Sequence, residues 1–270
     1  MLEIRSLEKT YQSADIHGTL VALTHIDLAV ERGSFVSIVG PSGCGKSTLL
    51  EIVAGLVGAT SGSVTLNGEP VRGPNRQVGI VFQQDSTFPW LTVQQNAEFG
   101  LAVHGVPAAE RRERAGHMLR LVGLQDFRHF YPEQLSGGMR QRVAIARVLA
   151  EEPTLILMDE PFGALDEQTR LVLGEELLRI WEATGATVLF VTHSLSEAAM
   201  LSDRIVVMTS RPGSIRAIVD VPLKRPRGSE VIGTPEFSTV AAELWEYLHA
   251  EARMAMDRSA VEAKPNELPS

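Results

Sequence analysis

The sequence predicts an α/β protein built on a mostly parallel sheet covered by helices on both faces. Three observations lead there. The continuous apolar runs FVSIV (35–39), TLILM (154–158), TVLFV (187–191) and RIVVM (204–208) have strand length and suit strands buried on both sides. Segments with helical spacing of apolar residues alternate with them. Finally, GPSGCGKST (40–48) follows the first run directly and opens a helix, the setting in which a glycine-rich turn gathers phosphate.

Bulk properties narrow the class. A chain of 270 residues can bury a full core, at the upper end of one domain or as one domain carrying an insertion. With 44% hydrophobic and 21% charged residues it has the make-up of an ordinary soluble globular protein. Its formal net charge of -8 argues against wrapping nucleic acid, which needs clustered Lys and Arg. The arginines of RRERAG (111–116) are interrupted by glutamate and read as a solvated helix face. The single cysteine, Cys44, excludes an internal disulfide and fits a reducing compartment. MLEIRSLEKTY carries no basic-then-apolar signal segment, and no run approaches the roughly 18 apolar residues of a membrane span. Work at a membrane would need another protein to cross it.

In chain order, TLVALTHIDLAV (19–30) partly alternates, as a half-buried strand does, and ERG (31–33) marks a turn before FVSIV. Leu49, Ile52, Val53 and Leu56 recur at helical spacing after the glycine-rich turn. SGSVTLNGEPV (61–71) reads as a hairpin turning at Asn67-Gly68. From about 90 to 151 the pattern becomes helical, with Met118, Leu121 and Val122 on the apolar side of AERRERAGHMLRLVGL, so this region is an insertion into the α/β core. A helix over 167–182 and a short one from about 195 separate the later strands. After 209 proline and arginine dominate SRPGS and PLKRPRG. FSTVAAELWEYLHAEA (237–252) then sets Phe237, Val240, Ala241, Leu244 and Leu248 on one stripe, a helix docking back on the core. EAKPNELPS reads as a frayed tail, and there is no internal repeat.

Gly40, Gly45, Lys46 and Ser47 complete G-x-x-x-x-G-K-S. The cradle comprises Gly40, Pro41, Ser42, Gly43, Cys44 and Gly45, whose glycines let backbone N–H groups converge on an anion. Lys46 is expected on the β- and γ-phosphates, Ser47 on Mg²⁺ and Thr48 near the α-phosphate. The lysine argues for a nucleoside triphosphate rather than a dinucleotide, and Cys44 reads as a small loop side chain, not a redox centre. TLILMDEP ends a strand in two acids at the same rim. Asp159 suits the Mg²⁺ shell through water, and Glu160 suits orienting or deprotonating the attacking water. His193, after TVLFV, could meet the γ-phosphate or fix that water. Gln83, after VGIVF (78–82), is a neutral ligand for Mg²⁺ or water, with Gln84 beside it leaving the register open.

These segments, together with LSGGMRQR (135–142), resemble the nucleotide-binding subunit of ATP-binding-cassette transporters over roughly residues 2–222. The resemblance implies a P-loop NTPase (RecA-like) core, an N-terminal antiparallel β subdomain and an inserted α-helical subdomain carrying the signature LSGGM. It implies a nucleotide-binding domain over 2–235, a helical extension over 236–258 and a tail over 259–270. In this pattern Gln83 is the lid glutamine, GALD (163–166) the loop touching the partner subunit, His193 the switch histidine and Tyr11 the aromatic that stacks on adenine. Ser136, Gly137 and Gly138 would contact the ATP of a partner subunit in a head-to-tail homodimer. Where the family signature usually has glutamine this chain has Met139, which weakens a side-chain role there and leaves the backbone one.

A second nest at a helix N-terminus, without a lysine, suits such a secondary phosphate contact. FPWLTVQQNAEFGL (88–101) and MTSRPG (208–213) further resemble importers of nitrate, sulfonates, taurine and bicarbonate. The implied function is an ATP hydrolase, with ATP and Mg²⁺, that powers import through a separate integral-membrane permease at the cytoplasmic face of the inner membrane. A solute-binding protein would take part indirectly. Phe88-Pro89-Trp90 would receive a coupling helix of the permease, core packing being the alternative for Trp90. A DNA-repair or chromosome ATPase shares the same head, but sustained heptads are lacking and the charge is acidic. A small-molecule kinase has no use for LSGGM.

Overall fold

The computed structural model of the chain describes residues 1–13, 18–83, 86–163 and 165–262. Strands β1 (Leu2–Ser13) and β2 (Gly18–Val30) pair antiparallel. β3 (Phe35–Val39) is buried at every residue and feeds α1 (Lys46–Val53). The helix stops earlier than its apolar stripe: Gly55 turns the chain at φ +74, and Leu56 is left 49% exposed. β4 (Ser61–Leu66) and β5 (Glu69–Pro70) form the expected hairpin, with Asn67 at φ +53 and Gly68 at φ +84. Positive φ at both turn residues matches the twist of the flanking strands. β4 also pairs with β1, so these strands make one antiparallel sheet in the order β2-β1-β4-β5.

The second sheet holds β3 with β6 (Val78–Val81), β7 (Leu155–Asp159), β8 (Thr187–Val191), β9 (Arg204–Met208) and β10 (Ile215–Asp220). Its order is β10-β9-β3-β8-β7-β6, parallel throughout except for β10 on β9. β10 has no counterpart in the sequence reading. It is an edge strand that buries only Val219 fully, so no apolar run announces it.

Between β6 and β7 lies the helical insertion, α2 (Val93–Val103), α3 (Ala108–Leu121) and α4 (Gly137–Leu149). Thr92 and Gln95 form a reciprocal capping box at the start of α2, satisfying amide donors that a helix leaves open. α3 lies against α2 and α4 and buries Ala115 and Leu119, with Val122 just past its end. Met118 and Leu121, expected on the buried side, are only half covered, because the packed stripe is centred on Leu119.

α5 (Glu167–Thr184) ends at Gly185, φ +62, and α6 (Leu195–Leu201) follows β8. α7 (Pro235–Glu262) continues past 258, since no glycine or proline interrupts 236–262. It docks through Phe237, Val240 and Leu244, all buried. The arginines ahead of it are internal stitches. Arg227 is buried and donates to the carbonyls of Ser202 and Leu223. Burial pushes its pKa down to about 10. Arg225 pairs with Asp203 at 2.8 Å and lies over the Trp181 ring. The parallel sheet thus separates two apolar layers: α1 and the antiparallel sheet on one face, α4 to α7 on the other. Phe35, Phe190 and Phe162 link ring to ring within the second layer, with centroids 5.7 and 5.9 Å apart. Each fully buried large apolar side chain is worth roughly 1.5–3 kcal/mol.

Candidate functional site

The order β3-β8-β7-β6 lines up the C-terminal ends of four neighbouring parallel strands on one rim. Open α/β sheets bind ligands at such a rim. The phosphate-loop residues lead from β3, Asp159 ends β7 with Glu160 next, His193 lies just past β8 and Gln83 just past β6. Residues far apart in sequence meet there because the strands that carry them are adjacent.

The loop is built around two left-handed glycines, Gly43 at φ +73 and Gly45 at φ +101. A Cβ on Gly45 would lie 2.7 Å from Leu23 Cδ2 and 3.0 Å from the Ala22 oxygen, so space as well as φ demands glycine there. Lys46 is buried, its Nζ donating to the Gly40 and Pro41 carbonyls at 2.9 and 3.0 Å. These bonds hold the ammonium at the mouth of the loop. Tyr11, Leu20, Ala22, Ser42, Gly43, Gly45, Lys46, Ser47 and Thr48 line one cleft of about 390 Å³ together with Gln83 and Glu160. Lys9 Nζ sits 4.7 Å from the centre of the Tyr11 ring. Gly40, Pro41 and Cys44 support the loop from behind and do not line the cleft. Cys44 is buried, and burial raises its thiol pKa despite Lys46 nearby. That environment suits packing and opposes thiolate chemistry.

The two acids point apart, as their adjacency requires. Burial raises the Asp159 carboxyl above the usual carboxylate range, the Ser47 hydroxyl bonded to it works against the rise, and the Glu160 charge adds to it. Glu160 stands at φ +44, and its N–H donates to the Val191 carbonyl at 2.9 Å. Its Oε2 receives Gln83 Nε2 at 3.3 Å and lies 3.1 Å from His193 Nδ1. The three residues expected to govern catalysis therefore form one cluster. Gln84, the alternative to Gln83, lies outside the described residues.

The histidine is placed by a network that the sequence alone did not reveal. Thr192 Oγ1 donates to buried Glu197 at 2.5 Å, and Ser194 Oγ caps α6 on either side of His193. Burial raises the Glu197 carboxyl, offset by the Thr192 bond. The sequence reading also passed over Arg211, whose side chain lines the cleft. MTSRPG is distinctive, yet no spacing ties it to a loop some 165 residues earlier.

Hard oxygen donors, the Ser47 hydroxyl, the Asp159 carboxylate and the Gln83 amide, stand at this rim. Among the described residues there is no group of three or more His, Cys, Asp or Glu that could hold a metal. That set fits Mg²⁺, which takes one or two protein oxygens and completes its shell with water and phosphate.

Ser136, Gly137 and Gly138 are not brought to this cleft. They line a separate hollow with Arg142, Leu165, Asp166, Thr169 and Glu176. Ser136 Oγ accepts from Met139 N at 3.3 Å and caps α4. The expected second nest is therefore corrected: positive φ occurs at Gly43 and Gly45 and at neither Gly137 nor Gly138. This is an ordinary capped helix start. A Cβ would meet nothing closer than 3.7 Å at Gly137 and 3.5 Å at Gly138, so nothing within the described chain requires glycine at either. Asp166 caps α5, its carboxyl held below the usual range by the Thr169 hydroxyl. Ala164, within GALD, lies outside the described residues. Trp90 is 70% exposed, so it is not core, and Phe88 bridges it to Phe99 with centroids 5.6 and 4.3 Å away.

Comparison with known proteins follows the same lines. The family model described as ABC transporter matches residues 23–163. An uncharacterized ABC transporter ATP-binding protein of Methanocaldococcus jannaschii is 52% identical over 84% of each chain. The nitrate import ATP-binding protein NrtD of Synechocystis is 44% identical over 90% of this chain and 93% of its own. The taurine import ATP-binding protein TauB of Jannaschia is 43% identical over 84% and 86%. Among solved structures, a dimeric ATP-binding cassette in a post-hydrolysis state bound to ADP and Pi aligns with a TM-score of 0.72 and 34% identity, covering 83% of this chain and 100% of that one. The protein cbiO1 of Clostridium perfringens, part of the transporter complex cbiONQ, aligns at 0.73 with 27% identity over 92% and 97%.

Proposed function

Because this chain belongs to the ABC transporter family, as one of its ATP-hydrolysing subunits, we propose that it works as a Mg²⁺-dependent motor closing as a head-to-tail homodimer to drive a separate membrane permease. The carrying observation is the cluster in which Gln83 and His193 both hold the Glu160 carboxylate, which lines the same cleft as Lys46 and Ser47.

The loop amides and Lys46 would gather the phosphates of ATP while Tyr11 takes the base. Mg²⁺, held by Ser47 and Gln83 and through water by Asp159, would supply positive charge against the β- and γ-phosphates. Glu160 accepts the proton of a water whose oxygen bonds the γ-phosphorus as the bond to the ADP oxygen breaks. His193 and Gln83 fix the carboxylate in that direction, and the short loop pinned by Thr192 and Ser194 keeps His193 in reach. The capped N-terminus of α4 from a second copy would complete the site with backbone donors at Gly137 and Gly138. Glycines that no described neighbour requires would leave that surface open to close approach.

Exposed Trp90 and Phe99, bridged by Phe88, form an apolar surface suited to a coupling helix of the permease. Among the described residues no helix is long and apolar enough to cross a membrane, in keeping with attachment through that partner at the cytoplasmic face. The cargo is a small anion of the nitrate, taurine or sulfonate kind, delivered by a solute-binding protein. Support for this comes from the named relatives and the MTSRPG segment.

Glu160→Gln tests the assignment. It keeps ATP binding, lowers hydrolysis by roughly 10²–10⁴-fold, and elutes as a dimer with ATP on size exclusion. Wild-type turnover, or a monomer at saturating ATP, would sink it.

A further inference from the structure

The turn between β9 and β10, residues 209–214, does more than reverse the chain. It is closed on itself: Thr209 N donates to the Ser214 carbonyl, and Ser214 N to Thr209 Oγ1, both at 2.9 Å. From there it reaches in three directions. Gly213 adds to β2, its N–H donating to the Ala22 carbonyl and its carbonyl accepting from Thr24 N, each at 2.9 Å. The same glycine sits against the phosphate loop, where a Cβ would lie 2.0 Å from the Cys44 oxygen. Arg211 grips the neighbouring peptide, with Nε and Nη2 donating to the Gly43 carbonyl at 3.2 and 3.1 Å. From behind, Glu251 of α7, buried to 4% exposure, accepts from Ser210 N at 3.0 Å. Arg216 Nε stands 3.9 Å from the other carboxylate oxygen.

We propose that this turn is a clasp that presets the phosphate loop, with Arg211 and Glu251 as positioning residues for ATP. Two successive carbonyls of the cradle, those of Gly43 and Cys44, are held by this turn, one by the charge-assisted fork of Arg211 at the cleft wall and one by contact with Gly213. Gly43 lies at φ +73 and Gly45 at φ +101, conformations that a free glycine-rich loop leaves readily. Fixing those peptides before nucleotide arrives removes part of the ordering cost of binding. Glu251 acts through Ser210, so the C-terminal helix bears on ATP affinity without touching the nucleotide. Each residue of SRPG except the proline has a contact that serves this link. The inference rests on reading the cleft as the ATP site.

Calorimetric titration of ATP into the full chain tests it. Arg211→Ala weakens ATP binding roughly tenfold, a size set by loss of a charge-assisted bond, and Arg211→Lys recovers part of it. Glu251→Ala weakens binding several-fold, and Glu251→Gln restores most of that, because an amide oxygen still accepts from Ser210 N. The double variant Arg211→Ala with Glu251→Ala loses less than the product of the two single losses, since both act on one link. Unchanged affinity in Arg211→Ala, or independent losses in the double variant, overturns the clasp. Arg211 is exposed, so its truncation stays informative even if Glu251→Ala does not fold. Lys46→Ala separates the premises: ATP binding retained there overturns the cleft reading itself. Binding lost there but kept in Arg211→Ala overturns the clasp alone.

Discussion

Glu160 occupies a backbone region that costs a non-glycine residue about 1–3 kcal/mol, and at φ +44 its carboxylate turns away from Asp159 toward Gln83 and His193. Asp159 bears a different burden. Burial raises its carboxyl, so the folded chain still holds a proton where the unfolded chain has lost it. Stability therefore falls as pH climbs from the ordinary carboxylate range through the raised value, and the penalty is complete above it. Asp159→Asn should raise the thermal midpoint at neutral pH while abolishing Mg²⁺-dependent hydrolysis. The gain should vanish below the ordinary carboxylate range, where the wild-type carboxyl is neutral in both states. Melting curves at neutral and acid pH decide it; a midpoint lowered at neutral pH would show that the Ser47 bond outweighs desolvation.

At the scale of elements, α7 is a test of how far one stripe carries a helix. Leu244 is fully buried and Trp245 beside it is 62% exposed. Leu244→Ala should cost about 2–5 kcal/mol and Trp245→Ala no more than about 0.5 kcal/mol, read from urea midpoints. Similar losses from both would mean that the helix docks on another face. The stripe of α7 was legible because Phe237, Val240 and Leu244 repeat at helical spacing. The strands of the parallel sheet were legible because burial on both faces forces unbroken apolar runs. β10 was not, because an edge strand needs only one covered side chain. The phosphate loop, the paired acids and His193 could be read locally, each from a strand end. The cluster of Glu160, Gln83 and His193 follows from strand order, which no single segment encodes. Arg211 and Glu251 stayed hidden for the same reason. The glycines after Ser136 misled, since glycine at a helix start looks alike whether it bends the chain or merely keeps a surface bare.

At the scale of the molecule, the capped start of α4 and the phosphate loop line different clefts. Ser136→Arg should block ATP-driven closure while leaving nucleotide binding to the single chain intact. Loss of the cap alone costs about 1 kcal/mol, so Ser136→Asn, which keeps a capping side chain, separates stability from obstruction. Light scattering with ATP checks both variants. Full closure by Ser136→Arg would remove this hollow from the dimer interface.

Two clefts on one chain would also set how the motor responds to ATP concentration in the proposed head-to-tail pair. In a symmetric pair joined only through nucleotide, the doubly loaded form follows the square of single-cleft occupancy when the clefts fill independently. The pair then behaves as a coincidence detector, nearly silent when fuel is scarce and steeply responsive as it becomes plentiful. Under the proposed head-to-tail pairing that threshold would need no separate sensor, since the two hollows of one chain share no lining residue and each would be completed by the partner copy.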